Sequence, residues 1–171
     1  EILGPLRARN LLAAFQSIVE RDVDACEGFV VSFMGDGAMI LFGLPKPRPD
    51  DASRAFQSIW RLHASALAWL AGLPPATRNR LDVRIGGHFG PVVVSRLGPA
   101  HHQHITATGD TVNVASRLLE VGKQQRCSVV VSEDLFFAAG QPASSPDATA
   151  PLSLEVAIRG RTQSLRVRTW R

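Results

Sequence analysis

Apolar residues recur at helical spacing near the start of the chain, and a different pattern follows them. Five apolar residues between positions 11 and 19 fall on one helical face, and Gly28 is expected to close this helix. The apolar runs 29–33 and 39–42 then flank the sequence Gly35-Asp36-Gly37. Apolar runs around such a turn sequence indicate two strands joined by a tight hairpin. The predicted order is therefore helix, strand, turn, strand.

The rest of the chain continues this alternation of helices and strands. Asp50 or Asp51 is a candidate N-cap for a second helix, Asp110 for a helix to about residue 122, and Ser132 for a short helix. Strands are predicted over 81–88, 91–97, 127–131, 154–158 and 165–169. Mixed strands interleaved with helices on one face predict an α+β fold with a ferredoxin-like core and a mixed or antiparallel sheet.

Length and composition predict one soluble domain spanning residues 1–171. The 171 residues, 45% of them hydrophobic, are enough for one good core. No apolar run approaches the length needed to cross a bilayer, and no basic-then-apolar leader opens the sequence. Cys26 and Cys127 are the two cysteines, and we expect free thiols in a reducing compartment.

The net charge of +4 leaves two classes of partner to weigh. A basic ferredoxin-like domain could bind RNA, but the arginines are spread along the chain and the chain has no tyrosine. RNA recognition on such a sheet uses interleaved aromatic side chains, which are missing from the strand patterns. A small polyanionic substrate explains the charge equally well, so no nucleic acid partner is predicted.

Two short segments carry the candidate chemistry. The hairpin turn places Asp36 at a tip where its carboxylate can meet a hard divalent cation that keeps positions open for phosphate. Asp-Gly is also a common turn sequence, so a plain hairpin is the alternative. Asn113 and Arg117 are four residues apart and lie on the same face of the predicted helix. The alternative for this pair is an ordinary exposed polar face.

These segments together resemble the catalytic domain of class III nucleotidyl cyclases, the adenylyl and guanylyl cyclases. The resemblance rests on the Gly35-Asp36-Gly37 hairpin, on 83–94 and above all on 106–118, and it runs from about Leu11 to the C-terminus. It implies cyclisation of a nucleoside triphosphate, in which the ribose 3′-oxygen attacks the α-phosphorus and pyrophosphate leaves. It also implies two magnesium or manganese ions.

The resemblance assigns roles to particular residues. Asp36 is implied as one of two aspartates that hold the metal pair. Asn113 is implied to orient the ribose and Arg117 to stabilise charge at the α-phosphate. Backbone groups of the hairpin are implied to cradle phosphate or metal, and basic residues of the last hairpin to contact the terminal phosphates: Phe33, Met34 and Gly35 in the first group, Arg159 and Arg161 in the second. Arg159 is preferred, and a solvated turn with scattered charge is the alternative for both arginines.

The residues that choose the base give a mixed indication. Adenylyl cyclases usually carry a lysine, and guanylyl cyclases a glutamate, where this chain has Ser32. The partner position is Thr106, which agrees with a bacterial-type adenylyl cyclase. ATP is therefore the predicted substrate and GTP the alternative.

The resemblance further implies a head-to-tail homodimer with active sites shared between subunits. The family places a first strand with another metal-binding aspartate before the first helix, and nothing in 1–10 can serve as that strand. We expect an upstream segment to supply it, although a catalytically inactive nucleotide-binding or dimerisation module is the alternative. An upstream sensor or membrane domain is also expected, which would place this domain in the cytoplasm, either free or anchored to a membrane.

Overall fold

The computed structural model describes residues 4–97, 104–141, 151–160 and 163–171. Helices and strands alternate along these residues. In chain order they are α1 (Pro5–Asp24), β1 (Phe29–Met34), β2 (Gly37–Leu41), α2 (Asp51–Ala71), α3 (Pro75–Arg78), β3 (Ile85–Gly87), β4 (Val93–Leu97), β5 (His104–Thr108), α4 (Asp110–Gln125), β6 (Val129–Ser132), α5 (Glu133–Ala138), β7 (Leu152–Val156) and β8 (Leu165–Trp170). Within the described residues, no helix is both long enough and apolar enough to cross a membrane.

The strands form a mixed set of sheets. A four-stranded sheet has the order β3-β6-β8-β7, in which β3 and β6 are parallel and the other neighbours antiparallel. The hairpins β1–β2 and β4–β5 form two separate antiparallel pairs. The predicted α+β fold with mixed and antiparallel strands is confirmed.

Helices cover both faces of the four-stranded sheet, so the expectation of helices on one face is wrong. On β6, Val129 and Val131 pack with α2 and α5, whereas Val130 packs with α4. Successive side chains of a strand point to opposite faces, and all three valines are at most 1% exposed. A strand buried on both faces gives a continuous apolar run, which does not show on which side a helix lies.

Several predicted element ends differ from the structure. Glu27, rather than Gly28, takes the left-handed conformation after α1, with a φ of 53°. Asp110 is the first residue of α4, and Gly109 stands at the N-cap position that was predicted for Asp110. Ser132 does cap α5, because its side chain accepts a hydrogen bond from the backbone N–H of Leu135. Strand β5 was not predicted.

Both cysteines are free and buried, as predicted. Burial raises the pKa of the Cys26 thiol, so this side chain behaves as a small core residue. The predicted connector at 141–151 falls mostly outside the described residues.

Candidate functional site

Asp36 lies at the tip of the β1–β2 hairpin, where the sequence placed it. Met34 pairs with Gly37, so Gly35 and Asp36 are the two turn residues. Gly35 has a φ of +62°, whereas Asp36 is outside the left-handed region. A glycine with positive φ at the first central position is typical of a type II′ turn, which follows the right-handed twist of the strands. The Asp36 side chain is exposed, so its carboxylate is open to a ligand.

The strand leading to this turn contains an irregularity that the sequence did not reveal. Val30 pairs with Ile40 and Ser32 with Met39, which leaves Val31 as an extra residue, a β-bulge. The bulge changes which side chains share a face, so that Val30 and Phe33 both pack against α1 and α2. The Phe33 side chain therefore packs against the core, and the backbone groups of Phe33 are the part that a ligand could contact. The Met34 side chain is 57% exposed.

Ser32 and Thr106, the predicted base-reading residues, lie on strands that contact each other. Ser32 is on β1, Thr106 is on β5, and these two strands are in contact. Both side chains are half-buried. The fold thus brings the two predicted positions into one region of one chain.

Helix α4 carries Asn113 and Arg117, and its buried face is firmly anchored. Val114 and Leu118 are fully buried against β6 and β8. At the start of the helix, the Thr111 hydroxyl donates a hydrogen bond of 2.7 Å to the Pro91 carbonyl. With this face fixed, Asn113 is exposed and Arg117 is half-buried, one helical turn apart.

The turn between β7 and β8 meets α4 close to Arg117. A Cβ atom placed on Gly160 would lie 4.0 Å from an Nη atom of Arg117. Arg159, the neighbour of Gly160, is exposed. The Arg159–Gly160 turn therefore lies next to Arg117, near the middle of α4. Arg161, the second predicted phosphate contact, lies outside the described residues.

The hairpin with Asp36 and the helix with Arg117 both contact β5 but otherwise pack on different elements. The hairpin packs against α1 and contacts β5, whereas α4 packs against β3, β5 and β6. In the described part of the chain, no group of three or more His, Cys, Asp or Glu side chains could hold a metal ion. Within these ranges Asp36 is therefore not part of a complete metal-ligand cluster.

Comparison with known proteins identifies the family. Residues 2–158 match the model of the adenylate and guanylate cyclase catalytic domain. The chain belongs to this family. The match covers the hairpin, α4 and β7 and ends before β8, and it confirms the resemblance inferred from the motifs.

Relatives in bacteria extend this result. An uncharacterised protein of Mycobacterium tuberculosis is 32% identical over 161 residues, which cover 92% of this chain and 28% of that protein. An adenylate cyclase of Anabaena cylindrica is 29% identical over 150 residues, which cover 79% of this chain and 27% of that protein. The cyclase domain thus spans little more than a quarter of the length of either relative.

A solved structure shows the same fold. The structure of a bacterial light-regulated adenylyl cyclase matches with a TM-score of 0.75 over 98% of this chain and 46% of that chain, at 19% sequence identity. At this identity the likeness establishes the fold, and the residue roles need their own argument.

Proposed function

We propose that this domain is an adenylyl cyclase that converts ATP to 3′,5′-cyclic AMP and pyrophosphate. The observation that carries the proposal is the meeting of Arg117 with the Arg159–Gly160 turn, one helical turn from Asn113. An arginine next to a turn that carries a second arginine, on the helix that also carries an amide, supports a site for a polyphosphate attached to a sugar. Arginine suits this task because its planar fork donates two hydrogen bonds to phosphate and keeps its charge at any working pH.

Asp36 is the proposed metal ligand. Its exposed carboxylate, held on a two-residue turn, fits a hard divalent ion such as Mg²⁺ or Mn²⁺ that keeps other positions for water and phosphate. When bound, such an ion neutralises phosphate charge and activates the attacking oxygen. One carboxylate does not complete a two-metal site, so we propose that a second aspartate comes from outside the described residues.

The remaining roles belong to side chains and backbone of this chain. Asn113 orients the ribose through its amide, and Arg117 stabilises the charge that develops on the α-phosphate when the 3′-oxygen attacks. Arg159, with Arg161, binds the terminal phosphates and so positions the leaving pyrophosphate. Backbone groups of 33–35 hold phosphate or metal beside Asp36.

A homodimer is the proposed working form. Val93 and Val94 are successive residues of β4 and are 63% and 38% exposed, so β4 presents an exposed apolar side chain on each of its faces. On the neighbouring β1, Phe29 and Met34 are also exposed apolar residues. Exposed apolar side chains on these strands support association with a second copy of the chain. In the proposed dimer, Asp36 of one subunit faces Asn113 and Arg117 of the other.

Guanylyl cyclase activity is the second candidate because position 32 is a serine, and not the lysine or the glutamate that would select a base. The test is to incubate the protein in its natural full length with ATP or GTP and Mn²⁺ and to measure both cyclic nucleotides. Cyclic AMP as the main product, abolished by Asp36→Asn without loss of folding, supports the proposal. An excess of cyclic GMP over cyclic AMP supports the second candidate. If neither nucleotide gives a cyclic product, both candidates are contradicted.

A further inference from the structure

Strand β3 and the loop after it approach helix α4 more closely than any side chain would permit. A Cβ atom on Gly86 would lie 2.5 Å from the backbone carbonyl oxygen of Ala115, in the middle of α4. A Cβ atom on Gly90 would lie 2.7 Å from the Thr111 hydroxyl, at the start of the same helix. Real Cβ contacts essentially never fall below 3.0 Å, so a side chain at Gly86 requires the helix backbone to shift, and one at Gly90 requires the Thr111 hydroxyl or the helix to shift.

We propose that Gly86 and Gly90 are positioning residues that set the depth of α4 on the sheet, and thereby the positions of Asn113 and Arg117. Neither glycine is proposed to contact the substrate. Gly86 lets the helix lie roughly 0.9 Å closer to β3 than an alanine would allow, and Gly90 leaves room for the Thr111 hydroxyl at the start of the helix. The inference rests on the proposed function, because it assigns catalytic roles to Asn113 and Arg117.

The nature of the contact decides how far the helix must move. The atom that opposes Gly86 belongs to the helix backbone, which cannot turn away as a side chain can. To restore ordinary contact at 3.4 Å, α4 must shift by roughly 0.9 Å from the present 2.5 Å. A misplacement of about 1 Å in a catalytic group can reduce the rate by about 100-fold. Asn113 and Arg117 move with the helix, since both belong to it.

The neighbouring Gly87 provides a matched control on the opposite face of the same strand. A Cβ atom there would lie 2.8 Å from Ile59 Cδ1 and 2.8 Å from Leu135 Cδ2, which are the far ends of flexible side chains on α2 and α5. These tips can move while α4 stays where it is. Gly87→Ala therefore perturbs the core next to β3 without displacing the helix that carries Asn113 and Arg117.

The experiment compares Gly86→Ala with Gly87→Ala in the full-length protein, using steady-state cyclase kinetics and thermal unfolding. We expect Gly86→Ala to lower kcat by 10- to 100-fold with KM within about threefold of the parent, because the α-phosphate contact matters most in the transition state. Gly87→Ala should keep kcat within about threefold of the parent. A folded Gly86→Ala protein with parental kcat, or equal losses in both variants, overturns the inference.

A second variant decides the matter if Gly86→Ala does not fold. Gly90→Ala should lower kcat with KM near the parent value, because its Cβ atom would displace the Thr111 hydroxyl, which bonds the Pro91 carbonyl at the start of α4. A folded Gly90→Ala protein with parental kcat overturns the inference. Parental protein that makes no cyclic nucleotide overturns the proposed function itself, which separates the two failures.

Discussion

The turn that presents Asp36 should depend on Gly35 and tolerate change at Gly37. Gly35 has a φ of +62°, and a Cβ atom there would meet nothing within 4 Å, so Gly35→Ala carries a backbone cost without a steric one. That conformation costs an L residue roughly 1–2 kcal/mol. Alanine also restricts the unfolded chain more than glycine does, which stabilises the folded protein by about 0.4–1 kcal/mol. The net expectation is a loss of about 1 kcal/mol in the free energy of unfolding.

Gly37→Ala is the matched control within the same turn. Gly37 lacks a positive φ, and its nearest neighbour would be the Met34 carbonyl oxygen at 3.6 Å, which is ordinary contact. We therefore expect a change within about 0.5 kcal/mol. Asparagine tolerates the left-handed region better than alanine, so Gly35→Asn should fall between the two.

Two assays check this ordering. Denaturant unfolding measures the free energies, and cyclic nucleotide formation at saturating nucleotide measures the effect on Asp36. Because Gly35→Ala favours a different turn, the carboxylate moves and activity should fall at least tenfold, whereas Gly37→Ala should stay near the parent. Equal stability and equal activity of the two alanine variants would refute the argument that the turn geometry positions Asp36.

Two further predictions concern specificity and acid stability. Ser32→Lys should raise the ratio of ATP to GTP turnover, since a lysine reaches further than a hydroxyl, and an unchanged ratio would remove Ser32 from the base pocket. Burial alone would raise the pKa of Asp22, but the hydrogen bond and charge of Arg21 hold it below its ordinary value. The native state then binds fewer protons than the unfolded chain, so this contribution is present above about pH 4 and is lost as the pH falls through the lowered pKa. Asp22→Asn should flatten the acid side of the stability curve, an exposed Asp24→Asn should not, and identical curves for parent and Asp22→Asn would contradict the assignment.

The elements that could be predicted are those whose signals are local. The three long helices and most strands followed from periodicity and caps, whereas the short α3 was not predicted. The turn at Asp36 followed from the glycines on both sides of it. The Ser132 cap was predicted because its side chain bonds within α5, the helix that begins at the next residue. Asn113 and Arg117 were placed on one helical face by spacing alone.

The features that could not be predicted depend on contacts between distant segments. The bulge at Val31 depends on pairing with β2, and an apolar run gives no sign of an extra residue. The two faces of β6 look alike in sequence because helices cover both. The approach of Gly160 to Arg117 joins residues 43 positions apart, and the glycines at 86 and 90 could be read as tight packing without showing that α4 is the element they meet.

The active site shared between the two subunits is tested by combining two inactive variants in one dimer. Asp36→Asn and Arg117→Ala should each abolish cyclic nucleotide formation alone, because each homodimer then carries a lesion in both sites. Co-expressed chains form heterodimers with one doubly damaged site and one intact site, so activity should return to at most half that of the parent per heterodimer. If heterodimers are shown to form and remain inactive, the site does not join Asp36 of one subunit to Arg117 of the other, and the account is contradicted.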